Sequence, residues 1–553
     1  MGRKEDVSVE WENLTIGEAL RQRAMESGED EALITMEERL TFGELYDRAC
    51  RLAFGMHRLG VSKGDHVATI FGFGNGWVIA KYALHLLGAV VVPVNVNFKT
   101  RELEYVLRQA DVKTILMHDA LRFGNYIDML GEIDPSIVSC PRERVHSEAL
   151  PFLERIICIS DENRKYPFCY DYDEVTALGA DFRQADIDMF LEKGKPTDPC
   201  NILFTSGSTA FPKGAVHIHR SLLGIGEHLI GRTFGVNAEH RLINYLPFYH
   251  IGGCVYHVLA SLLRGCRLYV HEFIPEDIMR LIDEEKINFF GGFDAHFNAI
   301  RNHPEFNQYD LNSVKFILLA VGPEWYDRVK EIFPAAEVIA HHYGFTEGTG
   351  VSQAREEKDY EIRKHMNGKP WPGIDIKIVD PSTGRIVPPN TPGEICLRGW
   401  SRFQEYYKNP EETRKAIDAE GFFHSGDYGW LDEKGNLAYR GRYKMMIKTG
   451  GENVSEREIE MFLEGIPGVR AVQVVGLPDE KWGEAVTAVI EVSEGERLSR
   501  EKVIDYCKGR IAGFKIPKHV LFIDGSAWPL LGAGKVDKKK LKEWAEKEAA
   551  KKS

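Results

Sequence analysis

The chain has 553 residues, 70 Lys+Arg against 83 Asp+Glu, and a formal net charge of −13 at pH 7. At roughly 150 residues per domain this length allows about three or four domains, and 43% hydrophobic with 28% charged residues is the composition of a globular enzyme, not of a disordered chain. The acidic balance excludes sequence-independent binding to nucleic acid, which needs basic stripes, but leaves small anionic ligands open because they need only a local positive site.

The start, MGRKEDVSVEWENL, lacks an apolar core of signal-peptide length, and Asp6 breaks the myristoylation pattern. The most apolar run, residues 83–96, is shorter than the ~20 residues of a membrane span and contains Pro93. Nine cysteines are scattered without a CxxC pair or a close Cys/His spacing of the zinc type. The expectation is a cytoplasmic protein with no transmembrane segment, its cysteines serving as small buried side chains, and monomer or homodimer both open.

In chain order, apolar residues recur at helical spacing over 42–59 (Leu45, Ala49, Leu52, Ala53, Met56, Leu59). A strand follows at 66–71, a helix at 77–87, a buried strand at 89–94, a helix at 101–109 and a strand at 114–117. Strands alternating with helices at this spacing predict right-handed crossovers on a mostly parallel sheet. Residues 119–198 are less regular and show no readable chemistry. A second alternating stretch covers 241–320, and no repeat of 20–50 residues is evident.

The most informative local feature follows the apolar strand at 202–204: Thr205-Ser206-Gly207-Ser208-Thr209-Ala210-Phe211-Pro212-Lys213-Gly214. Small and hydroxylated residues after a strand let backbone N–H groups and hydroxyls close around an anion, and Lys213 adds a charge. A Walker A loop does not fit, because Phe211-Pro212 precede the lysine and Gly214 follows it in place of Ser/Thr.

This loop resembles the phosphate loop of the superfamily of AMP-forming acyl-CoA synthetases, adenylation domains and luciferases. Further motifs follow in the family's order: Tyr343-Gly344-Phe345-Thr346-Glu347, His424-Ser425-Gly426-Asp427, Gly441-Arg442-Tyr443-Lys444, Lys448-Thr449-Gly450-Gly451-Glu452-Asn453-Val454 and Gly534-Lys535-Val536. The resemblance spans roughly residues 205–541 and implies an α/β fold: a large N-terminal domain of several subdomains with mostly parallel sheets sandwiched by helices, residues 1–443, and a small mobile α+β C-terminal domain, residues 444–553.

The reaction implied by the resemblance is attack of a carboxylate on the α-phosphate of ATP, followed by transfer of the acyl group to CoA, with Mg2+ as cofactor. Such chemistry must hold the triphosphate and the metal, fix the ribose and place positive charge at the pentavalent centre. Thr205, Ser206, Gly207, Ser208, Thr209 and Lys213 match the phosphate loop. Thr346 matches the α-phosphate donor and Glu347 the Mg2+ ligand, a hard oxygen for a hard cation. Asp427 matches the acceptor of both ribose hydroxyls, Arg442 the cation at ribose and phosphate, and Lys535 the lysine that reaches carboxylate and α-phosphate. Tyr343 is expected to stack on adenine, with Gly322, Pro323 and His342 as the other wall. Read without the family, Asp427 is a turn residue, Lys535 part of a solvated basic face beside Lys538, Lys539 and Lys540, and His250 a core histidine. Two departures stand out: Ala210 replaces the usual glycine after the Ser/Thr pair, and Ala320-Val321 replaces a Gly-Gly at the adenine wall.

By resemblance, Lys444 is the hinge about which the C-terminal domain turns after adenylation, and Lys448, Gly450, Gly451 and Glu452 border the CoA channel. Independently, Ser455-Glu456-Arg457-Glu458 is a capping box opening a helix with Ile459, Phe462 and Leu463 on one face. His250 falls where the family places a gate to the acyl or pantetheine channel. The acyl pocket is expected around Phe248, His250, Phe293 and Gly344. The acetate-using branch has a tryptophan where this chain has Gly344, so the acid is expected to exceed propionate: medium-chain, aromatic or alicyclic. Asp294 leaves a polar, carnitine-like acid as an alternative. A freestanding enzyme loading a carrier-protein thiol, an oxidative luciferase and a non-catalytic nucleotide sensor are the other readings. No fused carrier domain is expected, and the cation and carboxylate complement argues against the sensor.

Overall fold

The computed structural model describes residues 10–551 apart from 206–211, 321, 324, 444–445, 450–451, 480–481, 509, 512 and 532–534; at 294, 448, 452–453, 455 and 458 it describes the backbone alone.

Two largely parallel sheets organise the large domain. One has seven strands in the spatial order Lys213–Ile218, Pro199–Thr205, Val90–Pro93, His66–Ile70, Thr114–His118, Arg155–Ile159 and Tyr170–Asp171; all are parallel except the edge hairpin that adds Lys213–Ile218. The other has nine, with a parallel run through Glu31–Ile34, Arg267–Val270, Arg241–Asn244, Phe289–Gly292, Phe316–Leu319 and Val338–Phe345, and antiparallel strands at both edges.

Strands buried on both faces explain the near-continuous apolar runs. Val91 faces a core shared with Leu242 and Leu268 of the other sheet, while its neighbours Val90 and Val92 face the opposite side. Helices Phe42–Arg58, Asn75–Leu87 and His257–Arg264 fill the layer between the sheets. The first starts with a capping box at Thr41 and Glu44, and the second stops at Gly88, whose φ of 73° is left-handed. The expected elements at 42–59, 66–71, 77–87, 89–94, 101–109 and 114–117 are thus present within a few residues of their predicted ends. The irregular stretch 119–198 has its own place: Arg155–Ile159 and Tyr170–Asp171 extend the seven-stranded sheet.

A four-stranded antiparallel sheet follows, Ile374–Val379, Gly393–Gly399, Phe423–Leu431 and Leu437–Arg442. The last part of the chain builds a five-stranded sheet from Met446–Thr449, Glu452–Ser455, Val469–Asp479, Gly483–Val492 and His519–Phe522, packed by helices Glu456–Glu464 and Lys538–Ala550. Helix Glu456–Glu464 begins where the capping box predicts and buries Ile459 and Leu463; the side chains of Ser455 and Glu458 lie outside the described residues. The fold is therefore mixed α/β, a large N-terminal part with parallel sheets and a small α+β C-terminal part. All nine cysteines are free and eight are buried. Among the described residues no helix is long and apolar enough to cross a membrane.

Candidate active site

Register sets the first pair. Strands Phe423–Leu431 and Leu437–Arg442 set Asp427 directly opposite Arg442, and the guanidinium Nε donates to Asp427 Oδ1 at 3.0 Å. The Tyr343 hydroxyl, from strand Val338–Phe345, donates to Asp427 Oδ2 at 2.8 Å. Asp427 is 3% exposed. Burial raises its pKa to about 6, against the opposing pull of Arg442 and the Tyr343 hydrogen bond. The turn before it is tied down as well: Asp427 N–H donates to Ser425 Oγ, Ser425 Oγ–H to the Ile395 carbonyl, and Gly426, at φ 68°, is left-handed.

Thr346 and Glu347 form the two-residue connection between strands Val338–Phe345 and Gly348–Ser352, where Phe345 pairs with Gly348. The Tyr406 hydroxyl donates to Glu347 Oε1 at 2.6 Å, and Phe403 N–H donates to the Glu347 carbonyl at 2.7 Å. A carboxylate presented at a turn and aimed by a phenol is a hard oxygen donor that fits Mg2+. Lys213 sits opposite Thr205 in the edge hairpin, so both ends of the expected phosphate-binding segment lie on paired strands. Its Nζ lies 4.7 Å from the Tyr406 ring centre and 2.7 Å from Glu412 Oε2. That ammonium holds the Glu412 carboxyl down to about 2. Lys213, Tyr406 and Glu347 are linked by contact, Arg442, Asp427 and Tyr343 by hydrogen bonds, and the Glu347 carboxylate joins the two sets through its charge on Arg442; the six come from four strands, a hairpin connection and a loop.

Other expected residues are placed as follows. The Tyr343 ring is buried against Tyr439 and Phe345, with 4% of the residue exposed. Gly322 and Pro323 follow strand Phe316–Leu319, and His342 stands edge-on to Tyr256 at 5.8 Å. Gly344 is a close approach: a Cβ there would meet the Thr349 side chain at 2.4–2.9 Å. Phe248 stacks on Trp77 at 4.1 Å within the core, whereas Phe293, the residue before helix Asp294–Arg301, is 48% exposed. His250 precedes a π-helical turn, Gly252–Tyr256, a wide turn that recurs near functional sites. His250 is exposed, not the core histidine its sequence context suggests; surrounding protein, and then the nearby Lys535 ammonium, still lower its pKa to about 4. Lys535 of the C-terminal part is therefore brought to the His250 side of the large domain. Strands Met446–Thr449 and Glu452–Ser455 pair with Thr449 opposite Glu452 and Lys448 opposite Asn453, so Lys448 and Glu452 lie near the same end of this hairpin. Ser206, Gly207, Ser208, Thr209, Ala210, Val321, Lys444, Gly450 and Gly451 lie outside the described residues, as does the side chain of Asp294.

Tyr406 and Glu412 escape sequence reasoning. Their segment, Gln404-Glu405-Tyr406-Tyr407-Lys408-Asn409-Pro410-Glu411-Glu412, announces a helix through Asn409 as cap and Pro410 at its first turn, but no chemistry.

Comparison with known proteins defines the class first. The model for the AMP-binding enzyme matches residues 20–407 and that for the AMP-binding enzyme C-terminal domain matches 458–535, and the chain belongs to this family. Within it the chain is an AMP-forming acyl-CoA synthetase/ligase. It is 33% identical over 536 residues to the putative acyl-CoA synthetase YngI of Bacillus subtilis, covering 96% of each chain. It is 30% identical over 545 residues to the mitochondrial medium-chain acyl-CoA ligase ACSF2 of Homo sapiens, covering 96% of this chain and 88% of that one. Among solved structures, the anthranilate CoA ligase AuaEII in complex with anthranoyl-AMP superposes with a TM-score of 0.83 at 22% identity, covering 97% and 98% of the two chains. A Mycobacterium tuberculosis fatty acyl CoA synthetase gives 0.69 at 27%, covering 96% and 98%.

Proposed function

We propose that this enzyme joins a carboxylic acid larger than propionate, of medium chain length or carrying an aromatic or alicyclic ring, to CoA through an acyl-adenylate. The observation that carries the proposal is the group Lys213, Tyr406, Glu347, Arg442, Asp427 and Tyr343, joined by contact, hydrogen bond and charge, with Lys535 brought to the His250 side.

Each demand of the first half-reaction has a residue. Asp427, already accepting two hydrogen bonds, is the acceptor for the ribose hydroxyls, and Arg442 neutralises it while facing the phosphates. Thr205 and Lys213, at the base of the phosphate loop with Ser206, Gly207, Ser208 and Thr209, hold the β- and γ-phosphates; Lys213 exchanges Glu412 for them. Tyr343, Gly322, Pro323 and His342 border the adenine. Glu347 is the Mg2+ ligand, and a bound Mg2+ supplies charge neutralisation to the triphosphate. Thr346 donates to the α-phosphate, and Lys535 adds its ammonium where carboxylate oxygen meets that phosphorus.

The second half-reaction needs thiolate in place of the lysine. Turning the C-terminal domain about Lys444 withdraws Lys535 and brings Lys448, Gly450, Gly451 and Glu452 to the cleft, with His250 as the gate between acyl and pantetheine channels. Medium chain length is favoured by the likeness to ACSF2, whose name specifies it, and an aromatic acid by the likeness to the anthranilate ligase fold. We assign Phe293 and Gly344 to the acyl side, the exposure of Phe293 supporting its part.

A pyrophosphate-release screen over carboxylic acids, with and without CoA, tests the reading. Acid-dependent pyrophosphate together with a CoA thioester for C6–C12, aromatic or alicyclic acids is the expected result. Acid-dependent release without any thioester to free CoA would favour a carrier-protein thiol as acceptor.

A further inference from the structure

Outside the adenylation group, the four-stranded sheet assembles a second set of chemically active side chains. Cys396 and His424 lie far apart in sequence yet pair directly across strands Gly393–Gly399 and Phe423–Leu431, with a bulge between Glu394 and Cys396. The bulge aims Glu394 at the same imidazole. His424 Nδ1 is 2.9 Å from Glu394 Oε2 and 3.5 Å from Cys396 Sγ, and the three donor atoms lie within 4.8 Å of one another.

These separations bear comparison with zinc chemistry. Bond lengths of ~2.0–2.3 Å to nitrogen, oxygen and sulfur in a tetrahedron put donor atoms about 3.3–3.7 Å apart. The Cys396–His424 distance already falls there, and the Glu394–His424 distance needs a few tenths of an ångström of opening. The far side of the ring has the matching feature: His424 Nε2 faces Asp418 Oδ2 at 3.5 Å. A carboxylate behind a histidine ligand fixes its tautomer and orientation, which is the usual outer-shell partner of a metal-bound imidazole. Asp418 is itself held by Lys377 at 2.7 Å, and Glu420 shares that ammonium, so the nearby positive charge is already engaged. Cys396 is fully buried, while Glu394 and His424 side chains are 16% and 31% exposed, which leaves an approach from solvent for the ion and a water ligand.

We propose that Glu394, Cys396 and His424 bind a borderline-soft divalent cation of the Zn2+ class, with Asp418 orienting the imidazole from behind. One nitrogen, one sulfur and one carboxylate oxygen select such an ion over Mg2+, which prefers oxygen alone. On binding, the thiol proton leaves to water and the metal–sulfur bond forms; the neutral imidazole carries its proton on Nε2, toward Asp418. No redox partner is needed. The site is joined to the nucleotide side, because Glu394 Oε1 accepts the Gly426 N–H at 3.0 Å in the turn that presents Asp427. An ion here clamps two strands at the root of that turn.

The full chain, stripped of metal by a chelator, is titrated with Co2+ for its absorption spectrum and with Zn2+ against a chromophoric chelator. The expected result is one ion per chain and a cobalt–thiolate charge-transfer band, with a thermal midpoint that rises with Zn2+. Cys396→Ser removes the band and weakens binding at least ~100-fold, and Asp418→Asn weakens it about 10- to 100-fold. Cys140→Ser, at the one cysteine that is not buried, changes nothing. Should Cys396→Ser fold poorly, His424→Gln and the wild-type cobalt spectrum carry the same test. Absence of a thiolate band in the wild type, its persistence in Cys396→Ser, or its loss in Cys140→Ser would overturn the proposal.

Discussion

The proposed nucleotide end and the proposed acyl end of the candidate cleft are built differently. Asp427 and Arg442 are cross-strand neighbours, Glu347 sits in a two-residue connection, and each is held by a named hydrogen bond. At the acyl end Phe248 turns into the core against Trp77, Phe293 stands half-exposed before a helix, and His250 lies on a loop before a π-helical turn. Charge-bearing groups are thus spaced by backbone register, which tolerates little change. The pocket for the acid is spaced by packing between separate elements, which re-aims with modest changes in side-chain volume.

The division can be broken by mutation. The largest effect is expected for Lys535→Ala: adenylation, read as acid-dependent pyrophosphate release, falls at least ~100-fold, as for loss of a group that stabilises transition-state charge. Thioester formation from supplied acyl-adenylate stays near wild type, and Lys444→Pro does the reverse because a rigid hinge blocks domain rotation. Equal loss of both half-reactions in both variants would abolish the alternation. Next comes Asp427→Ala. Charged hydrogen bonds of ~1.5–3 kcal/mol correspond to about 10- to 100-fold in kcat/KM for ATP, with the carboxylate preference unchanged.

Tyr406→Phe keeps the ring under Lys213 and removes only the hydroxyl on Glu347. The Mg2+ concentration for half-maximal rate is expected to rise about 10-fold, the lower range for loss of an outer-shell partner. An unchanged Mg2+ requirement would take Tyr406 out of the site.

Protonation gives a subtler test. Burial raises the Asp427 carboxyl to about 6, above its ordinary value near ~4, so the folded chain binds this proton more tightly than the unfolded chain does. Its contribution to stability is complete below about pH 4 and is lost as pH climbs to about 6. Activity runs the other way, since the ribose hydroxyls need an ionised acceptor: kcat/KM for ATP rises through about pH 6, and Asp427→Asn removes that limb. The smallest effect on ATP is expected for Phe293→Ala, under about threefold on the scale of a single exposed contact, while the ranking of carboxylic acids changes. A tenfold change in ATP kinetics with an unaltered acid ranking would erase the distinction between the two ends.

Legibility in the sequence follows the same line. Alternating apolar runs at 66–117 specify a parallel sheet because each strand is buried on both faces, and the observed strands match. Asp427 and Arg442 stand in short motifs that single them out, and strand register then sets them opposite each other. Tyr406 cannot, because its value lies in a hydroxyl reaching Glu347 from 59 residues away. Cys396 and His424 are likewise 28 residues apart and meet only through strand register and a bulge. Tyr343 stands in a short motif that singles it out, but its hydrogen bond to Asp427, 84 residues on, does not follow from that motif.

The central claim, an acyl-adenylate between acid and thioester, is tested most directly with a carboxylic acid labelled in both carboxylate oxygens with a heavy oxygen isotope. In-line attack on the α-phosphate followed by thiolysis at the carbonyl carbon leaves a single labelled oxygen in AMP and the other in the thioester. Label recovered in pyrophosphate or inorganic phosphate, with unlabelled AMP, would contradict the account.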